Sequence, residues 1–185
     1  MLYVCPLSRL EETVTLAKAE RVVSLLAEGT AVARPASIST GNHLLLSMHD
    51  ITDVQPDMTP PGLEHVERLL AFVSGWDRAR PLVVHCYAGI SRSTAAAYII
   101  ASALAPGRDE HELAQALRRA SPSATPNQRL VGIADDLLGR KGRMKAAIAA
   151  IGRGADAFEG TPFALAVDAE PRSGGLRRTL SLRRH

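Results

Sequence analysis

Cysteine and aromatic residues are scarce in this sequence: 185 residues contain two cysteines, Cys5 and Cys86, and 4% Phe, Trp and Tyr. Two cysteines form at most one disulfide, and charged residues begin at Arg9, too early for the apolar core of a secretion signal. No apolar run approaches the roughly 20 residues of a membrane-spanning helix. We therefore predict a cytoplasmic protein without a membrane span, whose core is filled by aliphatic residues and alanine.

An excess of charge is also missing from most of the chain. The net charge of +3 comes from residues 161–185, which hold five arginines and two acidic residues, whereas residues 1–160 hold 17 basic and 17 acidic residues. Residues 161–185 also lack apolar periodicity, which predicts a flexible basic tail. We favour a solvated terminus for residues 161–185 over a surface that binds anionic lipid or nucleic acid. No nucleic-acid partner is expected.

Residues 1–155 show apolar runs that alternate with helical patterns, and they are predicted to form one domain. Strands are predicted at 2–5, 21–27, 43–48 and 81–86. Helices are predicted at 8–19, where Ser8 and Glu11 have the spacing of a capping box, and near 63–73, 92–105, 109–120, 127–139 and 142–151. Because parallel neighbouring strands need crossover helices, the alternation predicts an α/β fold with a mainly parallel central sheet flanked by helices.

Cys86 ends the predicted strand 81–86 and precedes a short loop and a helix. Ligands bind at the carboxyl ends of strands in open α/β sheets. A short loop that contains Gly89 can turn successive N–H groups into one concavity, to which the helix adds the positive end of its dipole. The planar guanidinium of Arg92 can then hold two oxygens of a tetrahedral anion. The residues predicted to bind such an anion are Tyr87, Ala88, Gly89, Ile90, Ser91 and Arg92.

The same positive groups favour the thiolate of Cys86, which is therefore predicted to be a nucleophile at neutral pH. A thiolate beneath a bound phosphate implies attack on phosphorus and a cysteinyl-phosphate that water later hydrolyses. No His/Asp cluster has the spacing of metal ligands, so neither a metal nor another cofactor is expected.

The stretch HCYAGISRS at residues 85–93 resembles the His-Cys-x5-Arg-Ser/Thr signature of the cysteine-dependent protein tyrosine phosphatase superfamily. Its Ala-Gly-x-Ser-Arg-Ser form resembles the dual-specificity branch, and a fainter similarity extends over about 21–140 and includes Pro126–Asn127. Residues 141–185 match nothing in the family. The resemblance implies a phosphatase-like fold and catalytic domain over 1–155, and a phosphorylated protein or peptide as substrate.

The resemblance also implies a role for each residue of the motif. Cys86 would be the nucleophile, Arg92 the phosphate clamp, and Ser93 the hydroxyl that stabilises the departing thiolate. His85 would tune the sulfur without protonating the substrate. Cys5 is expected to be a core residue, although some relatives use a second thiol as a resolving partner.

Family members take a general acid from an aspartate roughly thirty to forty residues before the cysteine, which protonates the leaving group and then activates water. The segment SMHDITDVQPDM offers Asp50, Asp53 and Asp57. Asp50 is favoured because it closely follows the strand predicted at 43–48, and Asp53 is the second choice. His49 is a candidate neighbour to position the acid.

The substrate class follows from the loop's lack of lysine, which favours a monoester with a single phosphate. Phosphotyrosine is the preferred substrate, and dual specificity stays open. Alternatives are a phosphoinositide phosphatase, a non-catalytic phosphate-binding module, and arsenate reduction or sulfur transfer. Arg118, Arg119 and Arg129 are candidates to attract acidic peptides, although a solvated helix face is favoured for Arg118 and Arg119. Asn127 and Gln128 are candidates to orient the hydrolytic water.

Overall fold

The computed structural model describes residues 1–169, which contain a five-stranded sheet. The strands are β1 (Leu2–Pro6), β2 (Arg21–Leu26), β3 (His43–Ser47), β4 (Leu82–Cys86) and β5 (Phe163–Leu165). Their order across the sheet is β3-β2-β4-β1-β5. The first four strands are parallel to their neighbours, and β5 is antiparallel to β1. The predicted α/β fold with a mainly parallel sheet is confirmed.

Helices cover both faces of the sheet. They are α1 (Leu10–Ala17), α2 (Leu63–Ser74), α3 (Arg92–Leu104), α4 (Glu110–Ala120), α5 (Gln128–Leu137) and α6 (Arg143–Ile151). α1 packs on one face, and the other five helices lie on the opposite face around α3. α3 is buried from Arg92 to Ser102. The side chains of Ala95–Ala97 are small, so the helix lies close to the sheet. Arg92, the first residue of α3, therefore lies beside the carboxyl end of β4.

The sheet separates two apolar cores, and each core contains one cysteine. Cys86 belongs to the larger core under α3, whereas Cys5 belongs to the smaller core with Leu10 and Ile38. In the parallel register Cys86 pairs with Pro6, so the side chain of Cys5 points to the other face. Burial raises the pKa of Cys5 to about 12. Cys5 is a core residue as expected, and its position gives no support to a resolving role.

The beginning of the first helix differs from the sequence prediction. α1 starts at Leu10 after a 3-10 turn over Leu7–Arg9, and no side chain caps its N-terminus. The Ser8 hydroxyl donates instead to Glu159 at 2.7 Å. The predicted capping box is therefore wrong, because a distant carboxylate competes for the serine.

The start of the predicted tail also differs. Residues 161–169 include β5, which extends the sheet beside β1, and Asp168 pairs with Arg78 at 3.2 Å. A strand of three residues is too short for an alternating pattern to reveal it. The five arginines between 172 and 184 lie outside the described residues. Among residues 1–169 no helix combines the length and the apolar character that crossing a bilayer demands.

Candidate active site

The backbone of the β4–α3 loop (Tyr87–Ser91) is turned so that its carbonyl groups face outward. Four of the five loop carbonyls accept a hydrogen bond from a backbone N–H of another segment. The donors are Leu7 for Tyr87 (3.1 Å), Gly160 for Ala88 (2.8 Å), Thr125 for Ile90 (3.0 Å) and Asn127 for Ser91 (3.3 Å). Within residues 1–169 the N–H groups of Ala88, Ile90 and Ser91 find no acceptor. The fifth carbonyl, that of Gly89, faces Gly160 on the outside of the loop. The loop thus presents N–H donors to an anion.

Gly89 makes this turn possible. Its φ of +70° lies in the left-handed region, and a Cβ at this position would come within 2.7 Å of Pro6 N and 2.8 Å of Cys5 C. Only glycine therefore fits against the end of β1. The Gly89 N–H donates to Cys86 Sγ at 3.3 Å, so the turn also brings a backbone donor to the sulfur.

Cys86 lies at the floor of this loop and is 2% exposed. Its Sγ is 3.1 Å from Ser93 Oγ in the first turn of α3. The Gly89 N–H donates to the sulfur, and the Ser93 hydroxyl lies within hydrogen-bond distance of it and donates when Cys86 is a thiolate. Both stabilise a thiolate more than a thiol, because hydrogen bonds to an anion are stronger than those to a neutral acceptor.

Arg92 is the first residue of α3 and is 7% exposed. Its Nη1 donates to the Met48 carbonyl at 2.8 Å, which fixes the guanidinium plane against the end of β3. Its Nε is buried and has no hydrogen-bond partner within residues 1–169. An unpaired donor on a buried cation is costly, and an anion in the loop would remove that cost.

Asp50 reaches the loop from the segment after β3, whereas the other two candidate acids do not. Asp50 Oδ1 accepts hydrogen bonds from Ser91 Oγ at 2.7 Å and from Asn127 Nδ2 at 2.8 Å. Asp53 is exposed and accepts from its neighbour Thr52, and Asp57 is exposed as well. The structure therefore brings Asp50 alone of the three to the β4–α3 loop.

A cavity of about 400 Å³ opens beside Asp50. Its walls include Ser91, Asn127 and Gln128, so the polar pair predicted to orient water lies at the site. His49, in contrast, does not bond to Asp50. Its Nδ1 accepts the N–H of Thr59 at 3.0 Å and so closes the loop between them.

His85 points to the face of the sheet opposite Cys86, since neighbouring residues of a strand alternate. Its ring is fully buried, and Nε2 lies 2.6 Å from Ser24 Oγ. Burial lowers the pKa of His85 to about 4, so the ring is neutral near pH 7. Any influence of His85 on the sulfur therefore passes through the backbone.

Two of the three arginines predicted as candidates to attract acidic peptides donate to backbone carbonyls instead. Arg118 donates to four carbonyls, those of Ala124, Ile151, Gly152 and Arg153, at 2.8–3.3 Å. Arg129 donates to the carbonyls of Thr52 and Pro61 and so fastens the segment that carries Asp50. Arg119 is exposed. Arg118 and Arg129 thus act on the framework of the site.

One wall of the site was missed by sequence reasoning. Residues 152–160, here called the strap, pass along the outside of the β4–α3 loop. Gly160 donates to the Ala88 carbonyl, and a Cβ on Gly160 would come within 2.9 Å of Gly89 O. A second cavity of about 330 Å³ lies between the strap and the loop, lined by Ile90, Ser91 and Asp156 among others. In a sequence, a glycine such as Gly160 indicates a turn, and no sequence pattern indicates its contact with the β4–α3 loop.

Solved structures similar to this chain include several phosphatases. Human DUSP28 has a TM-score of 0.57 and 17% identity over 76% of this chain and 92% of its own. PTP-2 phosphatase of Cydia pomonella has a TM-score of 0.57 and 19% identity, with 73% and 84% covered. PTPMT1 has a TM-score of 0.56 and 18% identity, with 82% and 96% covered, and has also been solved in complex with PI(5)P.

No family model matches the chain, and no curated protein resembles it in sequence. At these identities the structural matches establish the fold. The chain shares the fold of these phosphatases, as the motif at 85–93 implied.

Proposed function

We propose that this protein hydrolyses phosphate monoesters through a cysteinyl-phosphate intermediate, with phosphotyrosine in a protein or peptide as its preferred substrate. The observation that carries the proposal is the buried, unpaired Nε of Arg92 beside a loop of inward N–H groups and a buried thiol. A tetrahedral dianion supplies the acceptors that all these donors need. A phosphoryl group bound there would have its phosphorus above Cys86 Sγ.

In the first step, the Cys86 thiolate attacks phosphorus and the ester P–O bond breaks. Asp50 gives its proton to the departing oxygen, which leaves as an alcohol or phenol. Ser91 and Asn127 both donate to Oδ1 of Asp50. The transferable proton is therefore assigned to Oδ2.

In the second step, water attacks the phosphorus of the cysteinyl-phosphate and Asp50 takes its proton. The S–P bond breaks, inorganic phosphate is released, and Cys86 leaves as a thiolate. The Ser93 hydroxyl, 3.1 Å away, stabilises the charge that returns to the sulfur.

The surroundings of the loop favour a substrate with one phosphate. The loop has no lysine, and Arg118 and Arg129 are committed to backbone carbonyls. Additional phosphates on a substrate would therefore find few cations in residues 1–169 that are free to pair with them, and desolvating an unpaired charge is costly. Tyr87 is 61% exposed at the rim and offers an apolar surface to an aryl group.

A phosphoinositide phosphatase is the second candidate, because PTPMT1, solved with PI(5)P, shares this fold at 18% identity. A panel of phosphotyrosine peptides and phosphoinositides distinguishes the two. We expect a higher kcat/KM for the peptides, both for the full chain and after removal of residues 170–185. A preference for phosphoinositides in the full chain would instead assign the second function.

The decisive experiment is hydrolysis of an aryl phosphate by the wild type and by Cys86→Ser. We expect turnover by the wild type that withstands a chelator and is inhibited by vanadate, and no turnover by the variant, which should still bind phosphate. Among residues 1–169 no three His, Cys, Asp or Glu side chains gather as metal ligands. Equal turnover by the two proteins would refute the cysteinyl-phosphate mechanism, and binding without wild-type turnover would indicate a non-catalytic module.

A further inference from the structure

Three polar side chains form a hydrogen-bonded chain on the face of the sheet opposite Cys86. His43 begins the edge strand β3, Ser24 lies in β2, and His85 lies in β4. Ser24 Oγ is 2.8 Å from His43 Nε2 and 2.6 Å from His85 Nε2. Ser24 and His85 are fully buried and His43 is half-buried. The chain therefore runs from the edge of the sheet to the residue that precedes the proposed nucleophile.

Both imidazole rings are neutral near pH 7. Burial lowers the pKa of His85 to about 4, and burial together with the charge of Arg34 lowers the pKa of His43. Two charged groups act on the chain, Arg34 on His43 and Arg92 on His85 from across the sheet, and both disfavour a protonated ring. The Cys5 thiol, in register with His85, is neutral because burial raises its pKa to about 12.

The hydroxyl of Ser24 has one proton, so between two neutral rings it donates to one and accepts from the other. If it donates to His43, His85 carries its proton on Nε2 and leaves Nδ1 bare. If it donates to His85, that ring carries its proton on Nδ1. The Nδ1 atom is buried and has no hydrogen-bond partner within residues 1–169, yet the Cys86 backbone acts to raise the pKa of the ring. A backbone group does so when a carbonyl oxygen faces an N–H, which favours the second arrangement.

We propose that His43 and Ser24 are positioning residues for Cys86, acting through the tautomer of His85. His43 Nε2–H donates to Ser24 Oγ, Ser24 donates to His85 Nε2, and His85 Nδ1–H is held toward the Cys86 backbone. This fixes the peptide unit from which the thiol projects, and so keeps Sγ against Ser93 and the Gly89 N–H. The inference rests on the proposed function only in taking Cys86 as the nucleophile.

Two measurements test this chain without requiring phosphatase activity. The first is the tautomer of His85, read from nitrogen chemical shifts of the histidine-labelled wild-type protein; we expect the proton on Nδ1. The second is the rate at which Cys86 is alkylated near neutral pH, resolved from Cys5 by peptide mapping. Hydrolysis of an aryl phosphate is the third readout.

Ser24→Ala removes the bridge and should slow Cys86 alkylation and lower kcat/KM by roughly three- to tenfold, the effect of about one hydrogen bond. Ser102→Ala is the matched control, because Ser102 is also buried and its hydroxyl has no partner within residues 1–169; it should stay within about twofold of the wild type. His43→Gln supplies an amide donor to Ser24 and should keep the wild-type rate.

A proton on Nε2 of His85 in the wild type would overturn the proposal, and this test needs no variant to fold. An alkylation rate for Ser24→Ala equal to that of Ser102→Ala would overturn it as well. Normal alkylation and the expected tautomer in a protein that hydrolyses no phosphate ester would instead refute the proposed function and leave the positioning chain standing.

Discussion

Asn127 links Asp50 to a helix through the two ends of one amide group. Its Nδ2 donates to Asp50 Oδ1 at 2.8 Å, and its own Oδ1 accepts the N–H of Leu130 at 3.0 Å as the N-cap of α5. The cap fixes which end of the amide faces Asp50. Asn127 is thus placed to orient the proposed acid, a different task from the orientation of water predicted for it.

Two replacements of Asn127 test its link to Asp50 and preserve the N-cap of α5. Asn127→Asp still caps α5, because aspartate is an equally good N-cap, but sets a carboxylate against Asp50. We expect the basic limb of the kcat/KM profile to move to higher pH, since a second negative charge opposes ionisation of Asp50. Asn127→Ser also caps the helix but only removes the donor, so it should lower kcat without that displacement. Identical pH profiles for the two variants would contradict the link.

Replacing Asp50 or Asp53 by asparagine tests the assignment of Asp50 as the general acid. Asp50→Asn should lower kcat by roughly 10²–10⁴ for esters with poor leaving groups and remove the basic limb of the profile. Esters whose leaving group needs little protonation should be affected less. Asp53→Asn is the control, because Asp53 is exposed and within residues 1–169 its side chain bonds only to Thr52. Should Asp53→Asn produce these losses while Asp50→Asn does not, the acid lies further along the segment.

The buried ring of His85 makes stability depend on pH. Because burial lowers its pKa to about 4, the unfolded chain takes up a proton first as the pH falls below about 6.5. The neutral His85 ring thus contributes on the order of 3 kcal/mol to the free energy of unfolding, and this contribution is fully present above pH 6.5. It is lost as the pH falls from about 6.5 to about 4.

Chemical unfolding at a series of pH values measures this contribution. The loss of unfolding free energy between pH 6.5 and 4 should be smaller in His85→Asn than in the wild type. His111→Gln is the control, since His111 is exposed. Parallel pH curves for His85→Asn and the wild type would argue against a buried neutral ring.

The contact between the strap and the β4–α3 loop gives a prediction for Gly160. In Gly160→Ala the new methyl would lie 2.9 Å from Gly89 O, so strap or loop must shift. We expect about 1–3 kcal/mol lower stability and a reduced kcat, because the displaced backbone supplies the anion donors. Gly107→Ala is the control, since nothing lies within 4 Å of a Cβ there. Wild-type kcat in Gly160→Ala would show that the strap does not constrain the loop.

The sequence predicted the candidate site best where its functional residues are adjacent in the chain. Residues 85–93 carry the thiol, the anion loop and the arginine in one stretch, so a local motif locates them. Asp50 was preferred because strand ends meet at one edge of a parallel sheet, and it does reach the loop. Ser24, His43 and Gly160 were missed because their contacts join distant segments, and the spacing of residues along a chain does not encode such contacts.

The close approach of Gly89 and Gly160 also bears on how similar proteins are recognised. Each position excludes a side chain because of neighbouring backbone, and one of the backbones facing Gly160 is that of Gly89 itself. A chain that carries HCYAGISRS but a bulkier residue in place of Gly160 must route its C-terminal segment elsewhere and present a different wall beside Ile90 and Ser91. The second glycine therefore divides sequences that share the motif into two architectural groups, and a search pattern that includes both glycines separates them where the motif alone does not.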